Sequence, residues 1–469
     1  MITNNKLIYT LLLVPTSGVV YSAGITEASG KSERPLHDCT RPNVLIIYTD
    51  DMGVGDVSFL NDGWVKTPYI DKLASQGMVV TNYYTAAAVS SPSRAGLTTG
   101  IFPLELGINT FLHTKEHNIN CEQNDFLDPA FPSMARVFKQ AGYTTAHIGK
   151  WHMGGGRDIK NAPQITDYGF DYYLTTYEGP DPDPKITATD WIWSPQDEVK
   201  RWERTEYFVD KTIEFMKANK DKPFFINLWP DDMHTPYVYD EVSQANNKTW
   251  NTETNYRQVL QEYDYQIGRL MRAMHRIGAD ENTIVIFTSD NGPMPYYYGK
   301  RTNGLRSMKC SLYEGGIRMP FIIRWPGKIP EGSIDDTSVL CAVDLFPSLC
   351  SIIGEEMPDG FKYSGEDMSQ VFFGKPVTRT GDLMWEFGRN EYFYQHKPAN
   401  KSPHLGIRRG NMKLMINSFD DRVELYDIRN DPEEKNNLAH EYPELVNELR
   451  KVVTEWWNSR AGRNILPEQ

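Results

Sequence analysis

The sequence predicts an α/β fold built on a mainly parallel sheet. Two observations carry this prediction: short apolar runs rich in valine and isoleucine, and helical patterns that lie between them. Apolar runs of this length are typical of strands that are buried on both faces of a parallel sheet. Alternation of such strands with helices indicates an α/β domain, in which ligands bind beyond the carboxyl ends of the strands.

Four apolar runs share one design, since polar or charged residues follow each of them. The runs are VLIIY (44–48), TTAHIG (144–149), PFFINLW (223–229) and TIVIF (283–287). The residues that follow them are, in the same order, Asp50 and Asp51; Lys150 and His152; His234; and Asp290 and Asn291. Each group alone fits a solvated turn or a helix cap. A parallel sheet would bring all four strand ends to one edge, and this favours a functional site there.

Helical patterns separate these runs. SMARVFKQAG (133–142) has apolar residues at helical spacing, a serine suited to the N-cap and a terminating glycine. The segment 256–279 keeps the same periodicity over several turns, directly before the last run. We therefore expect helices at both places, packed against the sheet.

The pattern changes after the segment 343–354. Short strand-like pieces alternate with turn-rich pieces such as NDPEEKNN, and a helical pattern follows towards the end of the chain. These features predict a smaller antiparallel sheet with a packed helix. We place a catalytic α/β domain at residues 38–365 and a C-terminal α+β subdomain at residues 366–469.

The first residues resemble an export signal. Lys6 precedes the apolar run 7–20, and small residues follow near Ala23. We therefore predict a signal peptide over residues 1–23 and an exported protein, either periplasmic or secreted. The alternative is an N-terminal anchor that stays attached. Elsewhere in the sequence no segment approaches the ~18 consecutive apolar residues that a membrane span needs.

Charge and cysteine content exclude some classes of protein. The net charge of -13 argues against nucleic acid or an anionic membrane surface as the main partner. The five cysteines are odd in number and show no Cys-x-x-Cys spacing. We therefore expect neither a disulfide framework nor a cysteine metal site. Because the net charge is negative, any electrostatic attraction for an anionic substrate must come from positive groups close to its binding site.

The polar strand ends suit one kind of metal and one kind of substrate. The candidate metal ligands offer only oxygen atoms and are Asp50, Asp51, Asp290 and Asn291. Such a set favours Ca²⁺ first and Mg²⁺ second, rather than zinc. The candidate cationic and proton-transfer groups are Arg94, Lys150, His152, His234 and Lys309. A divalent metal with fixed cations can hold a tetrahedral oxyanion such as sulfate or phosphate.

A hydroxyl-rich stretch, AVSSPSRAGLTTG (88–100), contributes two candidate residues to this metal and anion site. If a helix begins near Pro92, Ser90 lies at its N-terminus, where free N–H groups and the helix dipole favour an anion. Arg94, about one turn further on, could reach the same centre.

This stretch resembles the type I sulfatase signature, C/S-x-P-S-R-x-x-L-x-T-G, whose first residue is oxidised to formylglycine. The agreement continues in order along nearly the whole chain after the leader, through RPNVLIIYTDDMGVGD, GYTTAHIGKWHMG, PFFINLWPDDMHTPY, TIVIFTSDNGP, LYEGGIRMPFIIRWPG and VELYDIRNDPEEKNNL. The chain is therefore identified as a member of this family. The resemblance implies an alkaline-phosphatase-like fold and hydrolysis of sulfate esters by a formylglycine hydrate beside a divalent cation.

The resemblance also implies roles for single residues. The calcium ligands would be Asp50, Asp51, Asp290, Asn291 and the modified Ser90. The catalytic group would comprise Ser90, Arg94 as the stabiliser of formylglycine, Lys150 and Lys309 as sulfate ligands, His152 at the formylglycine hydroxyl and His234 at the leaving-group oxygen.

Two departures from the family pattern matter. Serine at position 90 resembles the bacterial members that a radical maturase oxidises, and such a protein would be inactive in a host that converts only cysteine. A cysteine-type member with a Cys→Ser substitution would show the same residue. Before Lys309 the family usually has a glycine-rich run, whereas this chain has LRSM.

The sequence says least about the substrate, which we expect to be a sulfated sugar or polysaccharide. Aromatic and charged side chains suit a sugar-binding rim, and the candidates are His113, His117, Trp191, Trp193, Arg389 and His404. For each of them, ordinary packing or a solvated loop is the favoured explanation. Two other functions stay open: a phosphate or phosphonate ester hydrolase on the same scaffold, and an inactive sugar-binding homologue. The lack of extra His/Asp ligands for a second metal argues against a phosphatase.

Overall fold

The structure is a computed structural model that describes residues 41–61, 63–176, 178–186, 194–394, 397 and 400–459. These residues belong to one compact unit. The predicted signal peptide, residues 1–23, lies outside them. Within the described part of the chain, no helix is both long enough and apolar enough to cross a bilayer.

Strands and helices alternate along the first three quarters of the chain. The strands are β1 (Asn43–Thr49), β2 (Met78–Val80), β3 (Tyr83–Tyr84), β4 (Thr144–Gly149), β5 (Tyr172–Thr175), β6 (Phe224–Trp229), β7 (Thr283–Ser289), β8 (Ile322–Arg324), β9 (Ser333–Asp335), β10 (Leu340–Cys341), β11 (Leu383–Glu386), β12 (Leu405–Arg409), β13 (Met412–Ile416) and β14 (Val423–Asp427). The α-helices are α1 (Pro68–Ser75), α2 (Ser90–Thr99), α3 (Lys115–Asn120), α4 (Met134–Gln140), α5 (Arg204–Ala218), α6 (Glu241–Ala245), α7 (Glu253–Arg276), α8 (Glu314–Ile317), α9 (Leu345–Ile353) and α10 (Pro443–Asn458).

The large sheet has the strand order β5-β4-β6-β1-β7-β8-β2-β9. The four predicted runs form its neighbouring strands β4, β6, β1 and β7, which are all parallel. Strand β8 pairs antiparallel with both β7 and β2, so the sheet is mixed. The α/β fold class with a mainly parallel sheet is therefore confirmed.

Strand β1 shows why the runs are apolar on both faces. Val44 and Ile46 pack into one hydrophobic cluster with residues of α2, α4 and α9. Leu45 and Ile47 pack into a second cluster with residues of α1, α5 and α7. Because successive side chains of a strand point to opposite faces, a strand between two helical layers must be apolar throughout.

The predicted helices form with slightly different ends. Helix α7 begins before the predicted residue 256 because the Thr252 side chain accepts a hydrogen bond from Asn255 N–H and caps it. Helix α4 follows Ser133 as predicted. The Ser133 hydroxyl, however, donates to the Tyr168 carbonyl oxygen at 2.6 Å and makes no cap hydrogen bond.

A second sheet comes later in the chain, with the antiparallel order β11-β12-β13-β14. Helix α10 packs on it through Val446, Leu449 and Val453. This arrangement confirms the small antiparallel sheet with a packed helix, whereas the boundary at residue 365 stays a prediction. The four cysteines among the described residues, Cys121, Cys310, Cys341 and Cys350, are free thiols.

Candidate active site

The carboxyl ends of the central strands meet at one place. Thr49 of β1 lies opposite Ser289 of β7, so the residues that come after both strands are neighbours. Asp51 N–H donates to Asp290 Oδ1 at 3.1 Å, which connects the two strand ends. The parallel register thus brings together carboxylates that are more than two hundred positions apart in the chain.

Gly149, the last residue of β4, allows the backbone of the neighbouring strand β6 to approach closely. It has a φ of 115°, and a Cβ atom there would lie 2.1 Å from the Trp229 carbonyl oxygen. Only glycine fits such a position without strain. The chain turns here, and Lys150 and His152 come directly after the turn.

The three carboxylates Asp50, Asp51 and Asp290 form a cluster that can hold a metal ion. One oxygen atom of each lies within 4.8 Å of the others, and all three residues are buried. Burial and the neighbouring Asp50 raise the pKa of Asp290 to about 7. Asp51 Oδ2 is buried and has no hydrogen-bond partner among the described residues. A hard divalent cation would satisfy this oxygen and relieve the repulsion, so the residues fit a Ca²⁺ or Mg²⁺ site.

Two further oxygen atoms adjoin this cluster. Ser90 Oγ lies 3.2 Å from Asp50 Oδ1 and 3.2 Å from Asn291 Oδ1. Ser90 is the first residue of α2, as the sequence predicts, and Val89 precedes it in extended conformation. Gly100 ends the helix in the left-handed conformation that glycine adopts readily. The Ser90 side chain therefore stands at a helix N-terminus and next to the carboxylates.

Arg94, one turn along α2, compensates the negative charge. Its Nη2 atom donates to Asp290 Oδ2 at 2.7 Å and to Asp50 Oδ1 at 3.3 Å. The guanidinium also lies 5.2 Å from the ring centre of Trp229, within the range of a cation–π contact. The arginine therefore fixes the relative positions of two candidate metal ligands.

Two lysines contact different carboxylates of the cluster. Lys150 Nζ lies 2.9 Å from Asp50 Oδ2, and Lys309 Nζ lies 2.6 Å from Asp51 Oδ1. Burial alone would lower the pKa of each lysine. The adjacent aspartates raise the pKa of both above the usual range, so both are charged at neutral pH.

The loop that carries Lys309 explains the glycines of the family pattern. Ser307 has a φ of 61° and Cys310 a φ of 66°. This left-handed region favours glycine. In this chain two non-glycine residues adopt that conformation, and Lys309 reaches the cluster.

Each of the two histidines has one ring nitrogen bound to a backbone carbonyl. His234 Nδ1 lies 2.7 Å from the Thr235 carbonyl oxygen, while its Nε2 is 3.7 Å from Asp51 Oδ2. His152 Nε2 lies 3.1 Å from the Leu112 carbonyl oxygen. Because a carbonyl oxygen only accepts, both of these nitrogens carry protons. Burial lowers the pKa of His234, and it lowers that of His152 to about 3.

These groups open into a cavity of about 430 Å³. The predicted residues that line it are Ser90, His113, Lys150, His152, His234 and Lys309. The lining residues that the sequence analysis missed are Phe111, Arg157, Glu178, Met294, Cys310 and Tyr394. Glu178 comes after β5, one more strand of the same sheet, but this strand of four residues has too short an apolar pattern to be found from the sequence.

The other predicted rim residues lie elsewhere. Trp193, like Trp191, is outside the described residues. Arg389 pairs with Glu386 and with Glu122, the latter at 3.3 Å, and does not line this cavity. His404 stacks on Phe419 and is likewise absent from the lining. Substrate binding by Trp193, Arg389 and His404 stays a prediction.

Comparison with known proteins agrees with this arrangement. Residues 42–355, more than half of the chain, match the family model described as Sulfatase. The chain belongs to the sulfatase family. A second family model, described as N-sulphoglucosamine sulphohydrolase, C-terminal, matches residues 307–458 of this sulfatase. The protein is therefore a sulfuric ester hydrolase.

Three relatives show how far the similarity extends. The sulfatase is 29% identical to the N-acetylgalactosamine-6-O-sulfatase of Bacteroides thetaiotaomicron, over 88% of this chain and 92% of the relative. It is 30% identical to arylsulfatase G of Rattus norvegicus, over 77% of this chain and 73% of that relative. A solved structure from Bacteroides thetaiotaomicron, described under the metabolism of multiple glycosaminoglycans, superimposes with a TM-score of 0.71. That structure shares 26% identity, over 89% of this chain and 99% of its own.

Proposed function

We propose that this sulfatase hydrolyses sulfate monoesters on a carbohydrate, with Ser90 oxidised to formylglycine beside one bound Ca²⁺. One observation carries the proposal: Ser90 Oγ lies 3.2 Å from two candidate metal ligands, at the base of a cavity lined by two lysines and two catalytic histidine candidates. Family membership supports the reaction class.

An unmodified serine would be a poor nucleophile for repeated turnover. Attack by its single hydroxyl would leave a stable sulfate ester that needs a second substitution at sulfur. Oxidation removes two hydrogens and gives an aldehyde, whose hydrate offers one hydroxyl for attack and a second whose deprotonation releases sulfate. The proposed modification of Ser90, at the start of α2, would therefore supply both hydroxyl groups that the reaction needs.

The proposed calcium ligands are Asp50, Asp51, Asp290, Asn291 and the modified residue 90. A bound Ca²⁺ would supply the positive charge that favours ionisation of a nucleophilic hydroxyl and draws in the sulfate oxygens. Arg94 holds Asp290 and Asp50 in place for this purpose.

Lys150 and Lys309 provide fixed positive charge for the sulfate group. Both ammonium groups border the cavity, and nearby carboxylates keep both charged. Charge that is already in position stabilises the developing negative charge without reorganisation of the site. The net charge of -13 for the whole chain therefore does not prevent binding of an anion.

The histidines are assigned to proton transfer. In His234, the hydrogen bond to the Thr235 carbonyl oxygen leaves Nε2 near Asp51 at the cavity, and a ring that has taken up a second proton at Nε2 from solvent can pass that proton to the leaving oxygen. In His152, Nδ1 keeps a lone pair in the neutral ring and can accept a proton from a hydroxyl at residue 90. The proposed acid, His234, thus follows β6, and the proposed base, His152, follows β4.

A carbohydrate is the proposed substrate class because relatives with high coverage carry such names. One is an N-acetylgalactosamine-6-O-sulfatase, and a structural neighbour belongs to glycosaminoglycan metabolism. The cavity wall adds Phe111, His113 and Tyr394, which are suited to contacts with a sugar ring. Sugars with a 6-O-sulfate are therefore the first compounds to test. Export of the protein stays the accompanying prediction from its leader.

The test combines mass spectrometry with sulfate release. The tryptic peptide 73–94, from protein made together with a serine-type maturase, should be lighter by two hydrogens and should react with a hydrazine reagent. The same protein should release sulfate from a panel of sulfated mono- and disaccharides, and a Ser90→Ala variant should release none. Oxidised protein that hydrolyses only the matching phosphate esters would contradict the proposal, as would an active protein with unmodified Ser90.

A further inference from the structure

Glu178 is a buried carboxylate of the cavity wall that none of the assigned roles uses. Its side chain is 10% exposed and lies beyond the carboxyl end of β5. The described structure places it against Lys150 and His152, two residues with proposed roles in the reaction. A buried charge is costly unless it is paired, so these contacts account for its stability there.

Glu178 contacts His152 twice. The His152 backbone N–H donates to the Glu178 carbonyl oxygen at 3.0 Å. The Glu178 carboxylate atom Oε2 lies 3.4 Å from His152 Nδ1. His152 has a φ of 53°, an uncommon value for a residue with a side chain, and the backbone contact helps to hold it there.

The two nitrogens of the His152 ring face different acceptors. Nε2 carries a proton, because its neighbour at 3.1 Å is the Leu112 carbonyl oxygen. Nδ1 and Glu178 Oε2 are both buried, and neither has a hydrogen-bond partner among the described residues. A proton taken up at Nδ1 would put a positive charge on the ring, 3.4 Å from this carboxylate. The contact would then change from an unfavourable pair of acceptors into a buried ion pair.

We propose that Glu178 is a positioning residue of this active site, which orients His152 and stabilises the imidazolium that forms when His152 accepts a proton at Nδ1. This inference rests on the proposed function, because it assumes His152 as the base. The proton comes from a hydroxyl at residue 90 and must leave to solvent before the next turnover. Glu178 itself stays ionised throughout.

Lys150 keeps Glu178 in its charged form. Lys150 Nζ lies 3.4 Å from Glu178 Oε2 and 2.9 Å from Asp50 Oδ2, so one ammonium group connects the carboxylate to the candidate metal cluster. Arg157 Nη2 lies 4.0 Å from Glu178 Oε1 on the other side. The carboxylate is therefore held between two cations and the histidine ring.

The decisive variant is Glu178→Gln, which keeps the size of the side chain and removes its charge. Its neutral amide cannot stabilise the charge of the imidazolium. We expect kcat to fall at least about tenfold, since general acid–base catalysis contributes about 10²–10⁴. KM should stay within about twofold, because Glu178 is not assigned to substrate contact. The loss should be equally large on 4-nitrophenyl sulfate, since the His152 step does not involve the leaving alcohol.

Two controls separate positioning from a purely structural role. Glu424→Gln removes another buried glutamate, on the second sheet, and should leave both constants unchanged. Glu178→Asp keeps the charge at a greater distance and should recover part of kcat. Equal kcat in wild-type and Glu178→Gln protein would overturn the inference, and so would failure of both Glu178 variants to fold. Wild-type protein that is inactive on every sulfate ester would instead contradict the proposed function.

Discussion

Arg94 Nη2 lies 2.7 Å from Asp290 Oδ2, and neither side chain has exposed surface. The pair joins α2, one turn after its start, to the residue that follows β7, and so it links the helix of the proposed nucleophile to the candidate metal cluster. A buried pair of this kind is sensitive to loss of one partner, because the other charge is left uncompensated.

Replacement of Arg94 should therefore destabilise the protein. We expect Arg94→Met to lower the free energy of unfolding by about 3–5 kcal/mol. The double variant Arg94→Met/Asp290→Asn should regain part of this loss, because it removes the stranded carboxylate. Chemical denaturation of the three proteins measures both effects. Equal stability of the single and double variants would show that the pair does not act as a unit.

Calcium should stabilise the folded protein. Binding at Asp50, Asp51 and Asp290 relieves repulsion that exists only in the folded state. At a concentration of 100 times Kd, the gain is about 2.7 kcal/mol. Thermal denaturation with EDTA and then with excess Ca²⁺ should show a higher midpoint with calcium. The shift should vanish in an Asp51→Asn variant, whereas a shift of unchanged size in that variant would contradict the assigned site.

The effect of removing the His234 side chain on kcat should depend on the leaving group of the substrate. His234→Ala should reduce kcat about 10²–10⁴-fold on a sugar sulfate, because the sugar alkoxide must be protonated as it leaves. On 4-nitrophenyl sulfate the reduction should be much smaller, since nitrophenolate leaves without a proton. Lys309→Ala serves as the comparison, because a sulfate ligand should matter equally for both substrates. A His234→Ala loss that is the same on both substrates would exclude the acid role.

The contact between helix α8 and the second sheet should be sensitive to pH. Lys413 Nζ lies 2.8 Å from Glu314 Oε1 and 2.9 Å from Glu434 Oε1, and all three side chains are fully buried. Burial and the nearby Glu314 raise the pKa of Glu434 to about 7 from an ordinary 4.5. The unfolded chain therefore loses this proton first, and the free energy of unfolding contributed by Glu434 falls as pH rises from about 4.5 to 7.

The measurement is a comparison of wild-type protein with Glu434→Gln. The variant lacks this titration, so wild-type protein should lose stability relative to it between about pH 5 and pH 7, by up to about 3 kcal/mol. Burial raises the pKa of Glu314, but Lys413, Arg318 and Arg408 together outweigh it and the net pKa is lowered, so Glu314 affects stability at pH values below this interval. The exposed neighbour Glu433→Gln should show no such difference. Parallel stability curves for wild type and Glu434→Gln would contradict the expected titration.

The sequence determined the central strands and the polar residues at their carboxyl ends. An apolar run flanked by turn residues is a local property, and its polar continuation is visible in the same few positions. The alternation of strands and helices then implies the parallel arrangement, which places Asp50, Asp51, Asp290 and Asn291 at one edge. The ordered motifs likewise predicted the family, and the stretch 88–100 predicted a helix near Pro92 with Ser90 at its N-terminus.

Only the tertiary structure decided which loops enclose the cavity. Glu178 lies beyond the short strand β5, whose four residues carry too little apolar pattern to reveal a strand end. Arg389 and His404 have residue types suited to a sugar, and only the structure shows that their side chains contact Glu386 and Phe419, respectively. The physical reason is that hydrophobic periodicity encodes which face of an element is buried. The partner of a polar side chain in a loop depends on distant segments that pack beside it.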